Sequence, residues 1–261
     1  MANKGGAEMP FLDHLEELRW RLIWSLAALG VGILLAFAII SQVDVIRFLE
    51  GPILPFLEGR KLVFTHPGDP FGILLKSAFA LGLVLALPVI LYQVWAFLSP
   101  ALYQHEKRVV IPVLLGAAVL FGAGVALSFF IVLPITLRFL LGLSTQSLEP
   151  MITAGDYFGF AIGMSLAFGA VFELPIAILA LTALGIVTPQ MLRRFRRHAV
   201  ILCVVGSAFI TPGGDPLSLM ALFFPLYLLF ELSIWLSAVL FRRRERRQAE
   251  AAAEAAREAT A

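Results

Sequence analysis

Five runs of apolar residues constrain this chain more than anything else in it. Leu22–Ile40, Gly72–Leu98, Val109–Leu133, Phe158–Val187 and Leu217–Phe241 carry almost no charge. Each is near or above the roughly 20 residues that a helix needs to cross about 30 Å of hydrocarbon. Composition agrees: 60% of the residues are apolar and 15% charged, against about 45–50% and 25% in a soluble domain. A sixth run, Ala199–Ile210, is too short to cross alone, reaching only about 18 Å at 1.5 Å per residue. Arg193, Arg194, Arg196 and Arg197 precede it, and a Thr-Pro-Gly-Gly-Asp-Pro turn follows it. Reading it as a short fifth span gives six in all, in an all-α polytopic membrane protein.

The cations set the orientation. With six spans both ends share a side. That side collects Lys4, Arg19, Arg21, Lys107, Arg108, the four arginines at 193–197 and six more between Arg242 and Arg257. The opposite side holds Arg47, Arg60, Lys61, Lys76 and Arg138. Fifteen of the twenty lysines and arginines on one side is a positive-inside asymmetry, which predicts cytoplasmic termini. An odd span count would separate the four-arginine loop from the arginine tail. The polar start of the chain has no apolar signal-peptide core, so the first run reads as a retained span.

The connections read less clearly. Ser41–Phe71 is rich in turn formers. Pro134–Tyr157 contains an apolar piece, Ile135–Leu143, expected as a separate helix lying over the extracytoplasmic face. Residues 242–261 form an Ala/Glu/Arg-rich tail, either a solvated helix or disorder, outside a membrane domain of residues 1–241. The lone cysteine, Cys203, permits no internal disulfide.

Several polar residues stand out against this background. In Phe11–Leu22, the apolar stripe Phe11, Leu15, Leu18 and Leu22 has helical spacing. Asp13, Glu16 and Glu17 crowd the other half. They read either as a solvated face with Glu17 paired to Arg21 or as an acidic surface for a cationic partner. Glu106 lies in the short loop after the second run, on the same side as Glu17. Two carboxylates at one headgroup level suit a ligand with two guanidinium groups, whose planar forks make bidentate contacts. Glu173 and Glu231 fall mid-span, where an acid is costly and marks a site by default. Each could instead be protonated and bonded to a neighbour. Pro175 frees the carbonyl of Val171 and should kink its helix. Asp215 reads as a helix cap or part of a polar docking site.

No nucleophile-and-base pair, metal-spaced cluster or phosphate-binding glycine loop is present. An enzyme, a cofactor and a metal are therefore not expected. An ion-coupled small-solute transporter with Glu173 and Glu231 as a relay remains the competing reading.

HLEELRWRL at 14–22 and PVILYQVWAFLSPALYQHEKR at 88–108 resemble the amino-terminal motif and first cytoplasmic loop of the TatC family. FGAVFELP at 168–175, ITPGGDP at 210–216 and LFELS at 229–233 follow in the family's order. The resemblance implies a cupped, six-span receptor for signal peptides with consecutive arginines. It would work in the bacterial cytoplasmic membrane with the single-span partners TatA and TatB, as part of an oligomeric complex. It would move folded proteins on the protonmotive force without nucleotide, and no nucleic acid is implied. Carried over by motif, Glu17, Arg19, Phe97 and Glu106 belong to the twin-arginine site. Glu173 matches the family's buried glutamate, and Thr211 and Asp215 fall where partner helices dock. The turn at 211–216 is one residue longer than the family's usual Thr-Pro-Pro-Asp. Leu219 stands where many members have glutamine.

Overall fold

The computed structural model describes residues 11–57, 59–98, 110–142, 151–210 and 216–258. Among these the chain is helical: α1 (Phe11–Ile40), α2 (Val45–Glu50), α3 (Asp69–Leu98), α4 (Val110–Leu127), α5 (Leu133–Gly142), α6 (Ala154–Phe172), α7 (Leu174–Ala183), α8 (Pro189–Ile210) and α9 (Pro216–Glu258). Among the described residues five stretches are long and apolar enough to cross a membrane: 15–40, 69–97, 112–142, 154–183 and 219–242. Large apolar side chains such as Leu34, Phe71, Val119 and Trp235 stay exposed on them. Exposure on that scale suits a helix whose solvent is lipid.

The chain divides into two compact units, residues 1–44 with 77–115, and residues 45–76 with 116–261. In the first, α1 and α3 meet backbone to backbone at Gly32 and Gly82. A Cβ built on Gly82 would lie 2.7 Å from the Ile33 Cα, so only glycine permits the approach. Small residues at such crossings are how helices associate without a hydrophobic driving force in lipid.

In the second unit the core joins the Ser128–Val132 turn, α6 and α9 through Val132, Met164, Phe168, Leu222 and Leu226. A second cluster of Leu192, Ala199, Phe230 and Ile234 seats α8 on α9. Thr182 of α7 and Ser237 of α9, both fully buried, share a 2.9 Å hydrogen bond between helices. Residues 45–69 are folded onto the start of α6. Tyr157 donates to the Leu49 carbonyl at 2.7 Å, Val63 bridges Thr153, and Ile53 is wholly buried.

Local chemistry sets the helix ends. Thr153 caps α6, accepting from the Asp156 N–H at 3.1 Å while its hydroxyl donates to the Asp156 carboxylate at 2.7 Å. Gly185, at φ +76°, ends α7 with the paired Ile186-to-Leu181 and Gly185-to-Thr182 bonds of a Schellman motif. Thr188 accepts from the Met191 N–H at the start of α8, and Pro189 follows it.

Two expectations change, at residues 135–143 and 199–210, and two hold. Ile135–Leu143 is not a separate helix lying over one face. α4 runs through a π-turn at Ser128–Val132 into α5 without a break, because the wider turn spares Pro134 the collision with the carbonyl four residues back. The run Phe158–Val187 carries the expected kink beside Pro175, as α6 and α7 joined at Glu173. The short fifth run is the second half of a 22-residue helix that includes its arginines. It is seated on α9 rather than standing alone. Of the two readings of the tail the helix holds: α9 continues from Arg242 to Glu258 with no break, as its alanine and glutamate content favours.

Candidate functional site

The antiparallel register of α1 and α3 builds the first candidate site. Gly32 opposes Gly82, and eleven residues away on both helices Arg21 Nη1 donates to Gln93 Oε1 at 3.4 Å. Continued one turn, the same register sets Glu17 of α1 level with Phe97 in the last turn of α3. Glu17 accepts from Arg21 Nε at 2.9 Å on Oε1, and Arg21 Nη2 shares that oxygen. The two side chains are about a quarter exposed (25% for Arg21, 21% for Glu17). The half-buried pair therefore holds Glu17 by i,i+4 geometry while Gln93 orients the arginine. Arg19 is exposed and Phe97 half-buried. Glu106, predicted as the second carboxylate, lies outside the described residues, as do Thr211 and Asp215. Gln93 was not singled out from the sequence. Only the α1–α3 register brings it to Arg21, across 72 residues.

Glu173 occupies the joint between α6 and α7. Its N–H tightens onto the Ala170 carbonyl at 3.2 Å, and its own carbonyl accepts from Ile176 and Ala177. Pro175, buried, has no N–H to return to Val171. The carboxylate is tucked in, and among the described residues neither oxygen has a hydrogen-bond partner. Such a group is costly to bury unmet.

Glu231 differs. It sits on α9 facing α8, where Arg196 Nη2 donates to Oε2 at 2.7 Å and the Tyr227 hydroxyl donates to Oε1 at 3.1 Å. It is a paired carboxylate clamping two helices, so it and Glu173 are in unlike surroundings. Arg196 and Tyr227 had no mark in the sequence. Arg196 is one of four arginines, and Tyr227 is one helical turn before Glu231 on an apolar helix. Among the described residues no cluster of His, Cys, Asp and Glu could hold a metal.

The family model for TatC, Sec-independent protein translocase protein, matches residues 13–225. The chain belongs to the TatC family. The Sec-independent protein translocase protein TatC of Aquifex aeolicus is 42% identical over 239 residues, 91% of this chain and 98% of the relative. The Escherichia coli TatC is 35% identical over 229 residues, 87% and 88% of the two chains. A crystal structure of the twin-arginine translocase receptor TatC superposes with a TM-score of 0.75 at 40% identity, covering 87% of this chain and 98% of that one. The TatC match takes in Glu17, Arg19, Phe97, Glu106, Glu173, Thr211 and Asp215. It stops short of Glu231. Relatives named as protein translocase components leave the small-solute transporter reading without support.

Proposed function

We propose that this protein is the signal-peptide receptor of a twin-arginine translocase, a non-catalytic core subunit that moves folded proteins across the bacterial cytoplasmic membrane. Both termini face the cytoplasm, in line with the fifteen-to-five cation count. Single-span TatA and TatB subunits are its partners, Thr211 and Asp215 lie where their helices dock, and the protonmotive force drives the cycle. The observation that carries the reading is the α1–α3 register. It supports a recognition surface in which Glu17, preset by Arg21 and Gln93, lies level with Phe97, while Glu106 and Arg19 complete the site.

The chemistry follows from the guanidinium. A signal-peptide arginine exchanges with Arg21 for the Glu17 carboxylate, so the site never holds an unpaired charge before the ligand arrives. A second arginine meets Glu106, and Phe97 supplies an apolar face. Charge-assisted hydrogen bonds contribute roughly 1.5–3 kcal/mol and exposed ion pairs about 0–1 kcal/mol. A half-buried site falls between, so each carboxylate should be worth about tenfold in affinity. The test is a binding series of wild type, Glu17→Gln, Glu106→Gln and the double variant against Arg-Arg and Lys-Lys signal peptides. Arg-Arg should win in the wild type, because an ammonium cannot make the two-pronged contact. If both single variants bind Arg-Arg as tightly as the wild type, the carboxylates are a solvated face.

A further inference from the structure

A cavity of about 590 Å³ opens in the second unit, walled by Leu137, Leu140 and Leu141 of α5, Asp156 and Phe160 of α6, and Lys76 near the start of α3. Its size is that of a ligand site, roughly 300–1,000 Å³. Gly155 and Gly159 keep the α6 wall low. A Cβ built at Gly159 would stand 3.5 Å from Lys76 Nζ, so the ammonium already lies against that wall. Lys76 is exposed, and among the described residues no hydrogen bond or ion pair engages it. It sits seven residues into α3, about 10 Å along the helix axis from its first residue. It therefore lies about two turns inside the apolar stretch 69–97, which is long enough to cross a membrane. An ammonium there is costly unless it meets an anion.

The occupant must therefore bring an anion to Lys76 and apolar chains to the leucines. It must also tolerate Asp156, whose carboxylate accepts the Thr153 hydroxyl at 2.7 Å and lines the same cavity. A purely anionic headgroup would set a second negative charge against Asp156. A headgroup with a phosphodiester beside a primary amine matches both residues. We propose that this cavity binds phosphatidylethanolamine, with its phosphate on Lys76, its amine toward Asp156 and an acyl chain along Leu137, Leu140, Leu141 and Phe160. Lysine serves a phosphate as a point charge. The cavity shares no residue with the proposed signal-peptide surface.

Native mass spectrometry of the purified, delipidated full-length protein tests this. Dioleoyl phosphatidylethanolamine, phosphatidylglycerol and diacylglycerol would be offered separately, together with soluble phosphoethanolamine as competitor. One phosphatidylethanolamine should be retained in preference to the other two lipids, and phosphoethanolamine should not displace it. Lys76→Gln and Gly159→Leu should each weaken retention by about tenfold, the first by removing the charge and the second by filling the cavity. Equal retention of all three lipids, or a Lys76→Gln protein that keeps phosphatidylethanolamine as the wild type does, would overturn the proposal. Displacement by phosphoethanolamine would also overturn it, since the ligand would then be a soluble phosphate ester.

Discussion

Replacing Gly82 with alanine puts one methyl group into the α1–α3 crossing. The new carbon would lie 2.7 Å from both the Ile33 Cα and N, and 2.9 Å from the Gly32 carbonyl carbon. Carbon atoms prefer about 3.5–4.0 Å, so the helices must part by about 1 Å at the crossing. The obstructing atoms are backbone, so no rotamer change relieves the contact. Overpacking of this kind costs about 1–3 kcal/mol, from which the helix propensity of alanine over glycine returns about 1 kcal/mol. The net loss is therefore about 1 kcal/mol, a melting temperature lower by about 2–4 °C for a chain of this size. Gly30, on α1 with nothing within 4 Å of a built Cβ, is the control. Gly30→Ala should gain what propensity gives, about 2–4 °C upward. A thermal ramp in detergent followed by tryptophan fluorescence reads both, since Trp20, Trp24 and Trp95 lie on these helices. If the two variants melt together, or Gly82→Ala melts at or above the wild type, the close crossing is not what holds α1 to α3.

Three further outcomes are expected. Tyr157→Phe removes the hydroxyl that holds the Leu49 carbonyl and should cost about 1 kcal/mol, with faster amide exchange confined to residues 45–57; unchanged exchange there would show that the bond does not hold the connection. A double-mutant cycle on Arg196→Gln and Glu231→Gln should give a coupling of about 0.5–1 kcal/mol in unfolding, because the side chains are 48% and 30% exposed and solvent screens them; a coupling indistinguishable from zero would mean the clamp does not tie α8 to α9. Glu173→Leu should leave thermal stability unchanged or raised, since the carboxylate has no partner among the described residues, while export of Arg-Arg precursors falls; a stability loss above about 2 kcal/mol would reveal a partner for that carboxylate.

Five long apolar runs were legible because lipid rewards them regardless of what surrounds them, although the third continues nine residues past its expected end, to Gly142. The breaks were less so. Pro134 and Pro175 carry the same local signal, a missing N–H and a crowded carbonyl. One is absorbed by a π-turn that keeps the helix going, and the other coincides with the joint at Glu173. Nothing in the local sequence around the two prolines separates these outcomes. The candidate site divides likewise. Glu17 with Arg21 is an i,i+4 pair and can be read directly. Gln93, Arg196 and Tyr227 gain meaning only through helices that meet tens of residues apart. The Gly32–Gly82 crossing is marked on both helices by small residues four apart, Ala28, Gly32 and Ala36 on α1 and Ala78, Gly82 and Ala86 on α3.

The strap of residues 45–69 has a consequence for biosynthesis. Its anchors, Thr153 and Tyr157, are encoded about a hundred residues downstream: Tyr157 follows its partner Leu49 by 108 positions. At roughly 5–20 residues per second the ribosome needs about 5–20 s to supply them. For most of that interval the strap lacks its partners, since even the earlier stack of Phe48 on Phe129 needs a residue 81 positions downstream. The second unit therefore cannot mature in the order in which it is made. Its first stretch waits for a later helix, and a ribosome pause placed before Thr153 would lengthen the time a protease has to cut the strap.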